Sequence, residues 1–273
     1  MPTALFISPH LDDVAFSCGG TLIRLVQNEW RVVLCTMFTR SVRNPQGFAL
    51  ACQTDKGIPP DVDYMALRRA EDEQFAKIGG VHTLLHLPHA EAPHRGYHSA
   101  PDLFGGMHAD DQIWKQLVGD LRRLNDEYAP DLIFAPQGLG NHVDHLQVIL
   151  AILAAELSDR ICWYRDTPYI IRQPTAVPSL LMPDGLHEQG VAIDQAIEGK
   201  IEGCCAYTTQ IGFQFGGAAA VAHKLRALHQ REAERVHMTG YTEVFSVPPS
   251  VRLPKADSTF RKYLLQEHGA QHD

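Results

Sequence analysis

At 273 residues and 30.4 kDa, the chain has room for one large α/β domain or two small ones. Hydrophobic residues make up 45% and charged residues 21%, which excludes a disordered or fibrous chain. The formal charge of −8 argues against a nucleic-acid-coating role, while the 15 histidines keep a metal site in play.

The N-terminal run Met1-Pro2-Thr3-Ala4-Leu5-Phe6-Ile7 has no basic segment before it and soon meets His10 and Asp12, unlike a secretory leader. The longest apolar stretch, near 146–155, contains Gln147 and stops at Glu156. That is short of the roughly 20 apolar residues a membrane span needs, so no span is expected. Cys18, Cys35, Cys52, Cys162, Cys204 and Cys205 form no C-x-x-C pair. Without an export signal, the expectation is reduced, mostly buried thiols in a cytoplasmic protein.

In chain order, 3–8 is a short apolar run stopped by Pro9 and reads as a strand. Gly19-Gly20 open a helical stretch to about 27, and 31–38 reads as a second buried strand. Residues 41–61 carry Pro45, Gly47, Gly57, Pro59 and Pro60 and read as a loop. A helix is expected over 61–78, stopped by Gly79-Gly80, then a strand over 81–87. Residues 88–109 form a long polar loop, followed by a helix over 110–128 and a strand over 131–135. A helix from about 142 to 157 and a strand over 161–164 complete the regular part. The last third is less regular: a Pro-rich connection, a strand near 191–193, helices near 195–207 and 218–236, and a strand near 242–247. Strands alternating with helices predict an α/β fold with a mostly parallel sheet. No repeat or linker divides the chain, so 1–273 reads as a single domain.

Two segments carry chemistry. Ser8-Pro9-His10-Leu11-Asp12-Asp13 follows the first strand, and Gly140-Asn141-His142-Val143-Asp144-His145 follows the fourth. In open parallel sheets, ligands bind outside the carboxyl ends of the strands, so winding would bring these distant segments together. Histidine and carboxylate suit a divalent cation such as Zn2+, although Fe2+ accepts the same donors. His10 and Asp13 are three apart on a turn; His142 and His145 are three apart at a helix start. An open catalytic site needs three protein ligands, and the expected division is His10, Asp13 and His145. Asp12 is then free to take a proton from water. His142, with Asp144 orienting it, is free to polarise a carbonyl or donate to a leaving amine. The bland reading of Asp12-Asp13 is an N-cap pair for the following helix.

His10-Leu11-Asp12-Asp13 followed by Gly19-Gly20, with His142-Val143-Asp144-His145 downstream, resembles the PIG-L/LmbE-like deacetylases. Weaker similar pieces are Arg68-x-x-Glu71, Lys200 with Tyr207 and Gln210, and Glu243-Val244-Phe245. The resemblance implies a Rossmann-like zinc hydrolase that removes acetyl from an N-acetylglucosaminyl group. In it His10, Asp13 and His145 match the ligands, Asp12 the base and His142 the oxyanion-stabilising residue. Leu11, Val14 and Val143 depart from the usual Pro, Glu and Pro, which leaves the chemistry standing and the substrate open. The alternatives are another metallohydrolase, acting on a non-sugar amide or a phosphate ester, and a non-catalytic glycan-binding protein. The partner expected is a small N-acetyl sugar or glycoconjugate.

Other features weigh less. Arg68 is a candidate substrate contact, against the alternative of a surface pair with Glu71. The histidines of 86–108 suggest a substrate lid. Tyr164 and Asp166, after the fifth strand, could line the same crevice. Phe213, Phe215 and Gly216-Gly217 lack any phosphate-loop spacing.

Overall fold

A computed structural model describes residues 1–253. Its strands are β1 Thr3–Ser8, β2 Arg31–Thr36, β3 Thr83–His86, β4 Leu132–Pro136, β5 Ile161–Tyr164, β6 His187–Ala192 and β7 Thr242–Val247. The helices are α1 Asp13–Gln27, α2 Gly47–Thr54, α3 Tyr64–Gly79, α4 Ala100–Leu103, α5 Trp114–Tyr128, α6 Val143–Ala154, α7 Tyr169–Arg172, α8 Ile197–Cys205, α9 Thr208–Phe215 and α10 Ala218–Arg235.

Among the described residues, the strands form one sheet in the order β3-β2-β1-β4-β5-β7-β6. β1 to β5 run parallel; β7 is antiparallel to both β5 and β6. The α/β, mostly parallel architecture expected from the strand–helix alternation is therefore present. β1 is buried on both faces, which explains its unbroken run of apolar residues. Ala4 and Phe6 pack to one side with Val32 and Leu34, and Leu5 and Ile7 to the other with Val33 and Cys35. Phe6 stacks on Phe134 of β4 at 4.3 Å between ring centres. β1 lies between β2 and β4, so the chain winds outward in both directions from it. Such a switch point leaves a crevice at the carboxyl ends of β1 and β4.

Several elements differ from their sequence reading. α1 begins at Asp13, ahead of Gly19-Gly20, and is kinked at Cys18. The glycine pair serves packing instead: a Cβ on Gly20 would meet Ile193 at 2.8 Å and Glu243 at 3.0 Å. The breaker-rich 41–61 segment contains α2, a two-turn helix too short to persist alone and held by packing near Glu91 and Pro93. The chain breaks after α8, and α9 starts where Glu71 accepts hydrogen bonds from the Thr209 N–H and from the Thr208 and Thr209 hydroxyls, each at 2.7 Å. Glu71 therefore pairs across the fold with α9, and Arg68 does not share it.

β7 ties the irregular last third to the centre. Glu243 accepts the main-chain N–H groups of Gly20 (3.0 Å) and Thr21 (2.7 Å) and pairs with Lys200 Nζ at 2.6 Å. Lys200 and Glu243 are both buried. No helix among the described residues is long and apolar enough to cross a membrane, and all six cysteines are unpaired.

Candidate active site

Three strand ends deliver the polar side chains. His10, Asp12 and Asp13 follow β1; His142, Asp144 and His145 follow β4; Asp166 follows β5. The turn before α6 depends on unusual backbone: Gly138, Gly140 and Asn141 all take positive φ, and a Cβ on Gly140 would meet the Tyr169 ring at 2.8 Å. The rings of His10 and His145 lie 5.3 Å apart, and those of His10 and His142 4.8 Å apart. The two motifs, some 130 residues apart in sequence, share one pocket.

Hydrogen bonding fixes which nitrogens face that pocket. A carboxylate can only accept, so Asp166 Oδ1, 2.6 Å from His145 Nδ1, accepts a hydrogen bond from it. His145 Nε2 is left facing the pocket, buried, with no hydrogen-bond partner, 3.3 Å from Asp13 Oδ2. Likewise Asp144 Oδ2 accepts from His10 Nε2 at 2.9 Å, leaving His10 Nδ1 3.3 Å from the same Asp13 oxygen. Two imidazole nitrogens thus converge on one Asp13 oxygen, which also accepts the His10 main-chain N–H at 2.7 Å. Buried acceptors do not face one another unless a cation or a proton lies between them. The donor set fits a divalent metal.

Proton affinities tell the same story. Burial disfavours charge on His145, but the Asp13 carboxylate and the bond to Asp166 outweigh it and push the imidazole up to about 9. Burial is likewise outweighed at Asp13, where the His145 and His10 charges hold the carboxyl well below its usual range. In the metal-free protein a proton fills the role a cation would take.

His142 also brings a ring nitrogen within 4.8 Å of those of His10 and His145. Its hydrogen bonding differs, however. His142 caps α6, its Nδ1 accepting the Asp144 N–H at 3.2 Å. Burial and the His10 charge hold it well below the usual histidine range, so it is neutral. A neutral ring with Nδ1 as acceptor carries its proton on Nε2, which suits a donor better than a ligand. Asp144 meets His142 through its main chain, and its charge pulls against the burial that lowers the ring. The hydrogen bonds of its carboxylate go to His10, to the Ala92 N–H (3.1 Å) and to Arg95 (2.7 Å).

Asp12 makes no capping hydrogen bond to α1, contrary to the bland reading. Its carboxyl is buried, 3.7 Å from Arg68 Nη2. Burial raises it, Arg68 pulls back, Asp13 adds repulsion, and the result is about 7. Arg68 is not on the surface: it pairs with Glu91 and lies 5.5 Å over the Tyr64 ring.

His10, Asp12, Asp13, Arg68, His142 and Asp144 line a cleft of about 290 Å3. Its outer wall comes from elements with no motif: Phe48 and Lys56 near α2, Phe104 after α4, Tyr169 and Arg172 on α7, and Phe213 on α9. The long segment after β3 supplies Glu91 and Pro93 to the wall, while its histidines pair elsewhere, His89 with Asp120 and His108 with Asp102. Asp166 is an orienting residue reached by the same strand-end logic that located the two motifs. Tyr164 only packs, donating to the Ile7 carbonyl at 3.1 Å. Glu91 and Arg95 carry no sequence signal, because their partners are distant in the chain.

The sequence profile described as PIG-L, GlcNAc-PI de-N-acetylase, matches residues 5–156. A curated relative, 2'-N-acetylparomamine deacetylase of Streptomyces fradiae, is 32% identical over 167 residues, 60% of this chain and 57% of the relative. The match thus spans a little over half the length of that relative. Among solved structures, an A40926 pseudoaglycone deacetylase superposes with a TM-score of 0.74 at 25% identity, covering 89% of this chain and 96% of its own. The zinc-inhibited form of a teicoplanin deacetylase gives 0.74 at 22% identity, over 89% of this chain and 97% of its own. N,N'-diacetylchitobiose deacetylase of Pyrococcus horikoshii gives 0.62 at 20% identity, over 90% and 84%. These last two likenesses establish the fold, an LmbE-like α/β sheet.

Proposed function

The chain belongs to the PIG-L family, and on that premise we propose that it is a metal-dependent hydrolase removing the N-acetyl group from an N-acetylglucosamine-type sugar or glycoconjugate. The observation that carries this reading is the convergence of His10 Nδ1 and His145 Nε2, each 3.3 Å away, on Asp13 Oδ2 beside the carboxyl of Asp12. Support also comes from the named substrates of relatives, 2'-N-acetylparomamine and N,N'-diacetylchitobiose, which share an acetamido sugar.

In this reading His10, Asp13 and His145 hold the cation, with zinc first among those their donors suit. When bound, the cation supplies Lewis acidity, polarising the acetamide carbonyl and making water more acidic. Asp12 takes the proton from the attacking water; a carboxyl raised to about 7 is well matched to that task near neutral pH. His142 Nε2–H donates to the carbonyl oxygen as negative charge grows there. Proton delivery to the departing amine then falls to Asp12 or His142, whichever faces the nitrogen. Arg68 pairs with Asp12 and, as a lining residue of the cleft, is the proposed contact to a sugar hydroxyl. The six unpaired thiols support a cytoplasmic location.

The test is acetate release by the zinc-loaded protein from N-acetylglucosamine, diacetylchitobiose and an N-acetylated aminoglycoside, with a phosphate ester as control. Turnover of at least one acetamido sugar is expected. Hydrolysis of the phosphate ester alone, or glycan binding without turnover, overturns the proposal.

A further inference from the structure

The long segment between β3 and α5 does more than line the cleft. Directly after its first turn, Ala92–His94, it sends Arg95 behind the histidines. Arg95 Nη2 donates to Asp144 Oδ1 at 2.7 Å and to Asp111 Oδ2 at 2.9 Å; Nε points to Asp111 and Nη1 to the Ala90 carbonyl at 2.6 Å. The guanidinium lies 4.9 Å over the Phe38 ring. Asp111 is itself held by the Tyr97 hydroxyl at 3.1 Å. Every edge of the guanidinium is engaged, so its orientation is fixed.

Asp144 is fully buried and can turn about its own side chain unless both oxygens are restrained. Arg95 restrains Oδ1. Oδ2 is then presented to the Ala92 N–H and to His10 Nε2. Histidines that bind metal are commonly oriented through their second nitrogen by a carboxylate. Here that carboxylate is oriented in turn by a guanidinium from a segment that contributes no ligand.

We infer that Arg95 is a positioning residue for the cation site, holding His10 Nδ1 toward Asp13 through Asp144. This rests on the reading of His10 as a ligand. A purely structural role would let Arg95 stabilise the segment without touching metal affinity. The segment has other anchors for that purpose: the packing of Ala92, Tyr97 and Val143, and the His98 N–H to Asp102 bond at 2.8 Å.

The test measures zinc affinity of the full chain by competition with a chromophoric chelator for the parent, Arg95→Met and Arg95→Lys. Nitrogen-15 histidine spectra of the metal-free proteins, recorded at a pH high enough to leave the His10 ring neutral, report its tautomer alongside. Arg95→Met should bind zinc about 10- to 100-fold more weakly, with His10 losing its single tautomer. Arg95→Lys keeps the charge but cannot span Asp144 and Asp111 together, and should fall between the two. A folded Arg95→Met with parental affinity overturns the inference. Should Arg95→Met fail to fold, parental affinity in Arg95→Lys overturns it equally. A parent that binds no metal overturns the functional reading as well, which separates the two failures.

Discussion

Asp166 Oδ1 accepts from His145 Nδ1 at 2.6 Å, and this contact decides which nitrogen of the imidazole faces Asp13. Asp166 Oδ2 is occupied by the Leu139 N–H at 3.0 Å, so the carboxylate is braced on both sides. Asp166→Leu should therefore weaken zinc binding about 10- to 100-fold. Asp166→Asn, which keeps a carbonyl oxygen, should lose less. Chelator competition checks both, and equal affinity in all three proteins would show that the brace is idle.

Asp12 is the base in the proposed reaction. Asp12→Ala should retain its zinc by metal analysis while kcat falls by about 10²–10⁴. The sign of the pH effect follows from the form that works. Asp12 acts ionised and its carboxyl is raised to about 7, so kcat/KM should fall as pH drops through that region. A bound cation favours the ionised form, which moves the limb to about 7 or below. A parental acid limb in an Asp12→Ala enzyme with residual turnover assigns it to another group.

Chelation should abolish activity and lower thermal stability together. Zinc at 100 times its Kd stabilises the folded state by about 2.7 kcal/mol if the unfolded chain does not bind it. Scanning calorimetry with and without a chelator reads the shift, and readdition of Zn2+ should restore both properties. An unchanged melt would mean that the acceptor cluster holds no metal in solution.

Lys200 and Glu243 are a buried pair, and removing one partner strands the other. Lys200→Met should cost about 3–5 kcal/mol in urea unfolding. The double variant Lys200→Met with Glu243→Gln should recover part of that loss, since no uncompensated charge remains. A single variant within experimental error of the parent would mean that Glu243 finds another partner.

The central fold was readable because buried parallel strands announce themselves. Thr3–Ser8, Leu132–Pro136 and Ile161–Tyr164 are compact apolar runs, and the polar motifs follow directly from their ends. What escaped depends on partners far along the chain. α9 starts where it does because Glu71, 138 residues before Thr209, accepts that residue's N–H and the Thr208 and Thr209 hydroxyls. Asp144 sits two residues from His142, yet its carboxylate finds His10 134 residues away. Proximity in sequence pointed to His142 and gave no sign of the distant hydrogen-bond partner. α2 was masked by the prolines and glycines that flank it.

The grip of Glu243 on Gly20 and Thr21 bears on where a minimal active fragment can end. The stretch matching the family profile stops at residue 156. A protein cut there would retain all three proposed ligands and the base, yet expose the flank of β4 that β5 now covers. It would also forfeit Asp166 and leave the kinked α1 without its anchor from the last strand. Such a fragment should be recovered as aggregate, and engineering of this scaffold should keep everything through β7.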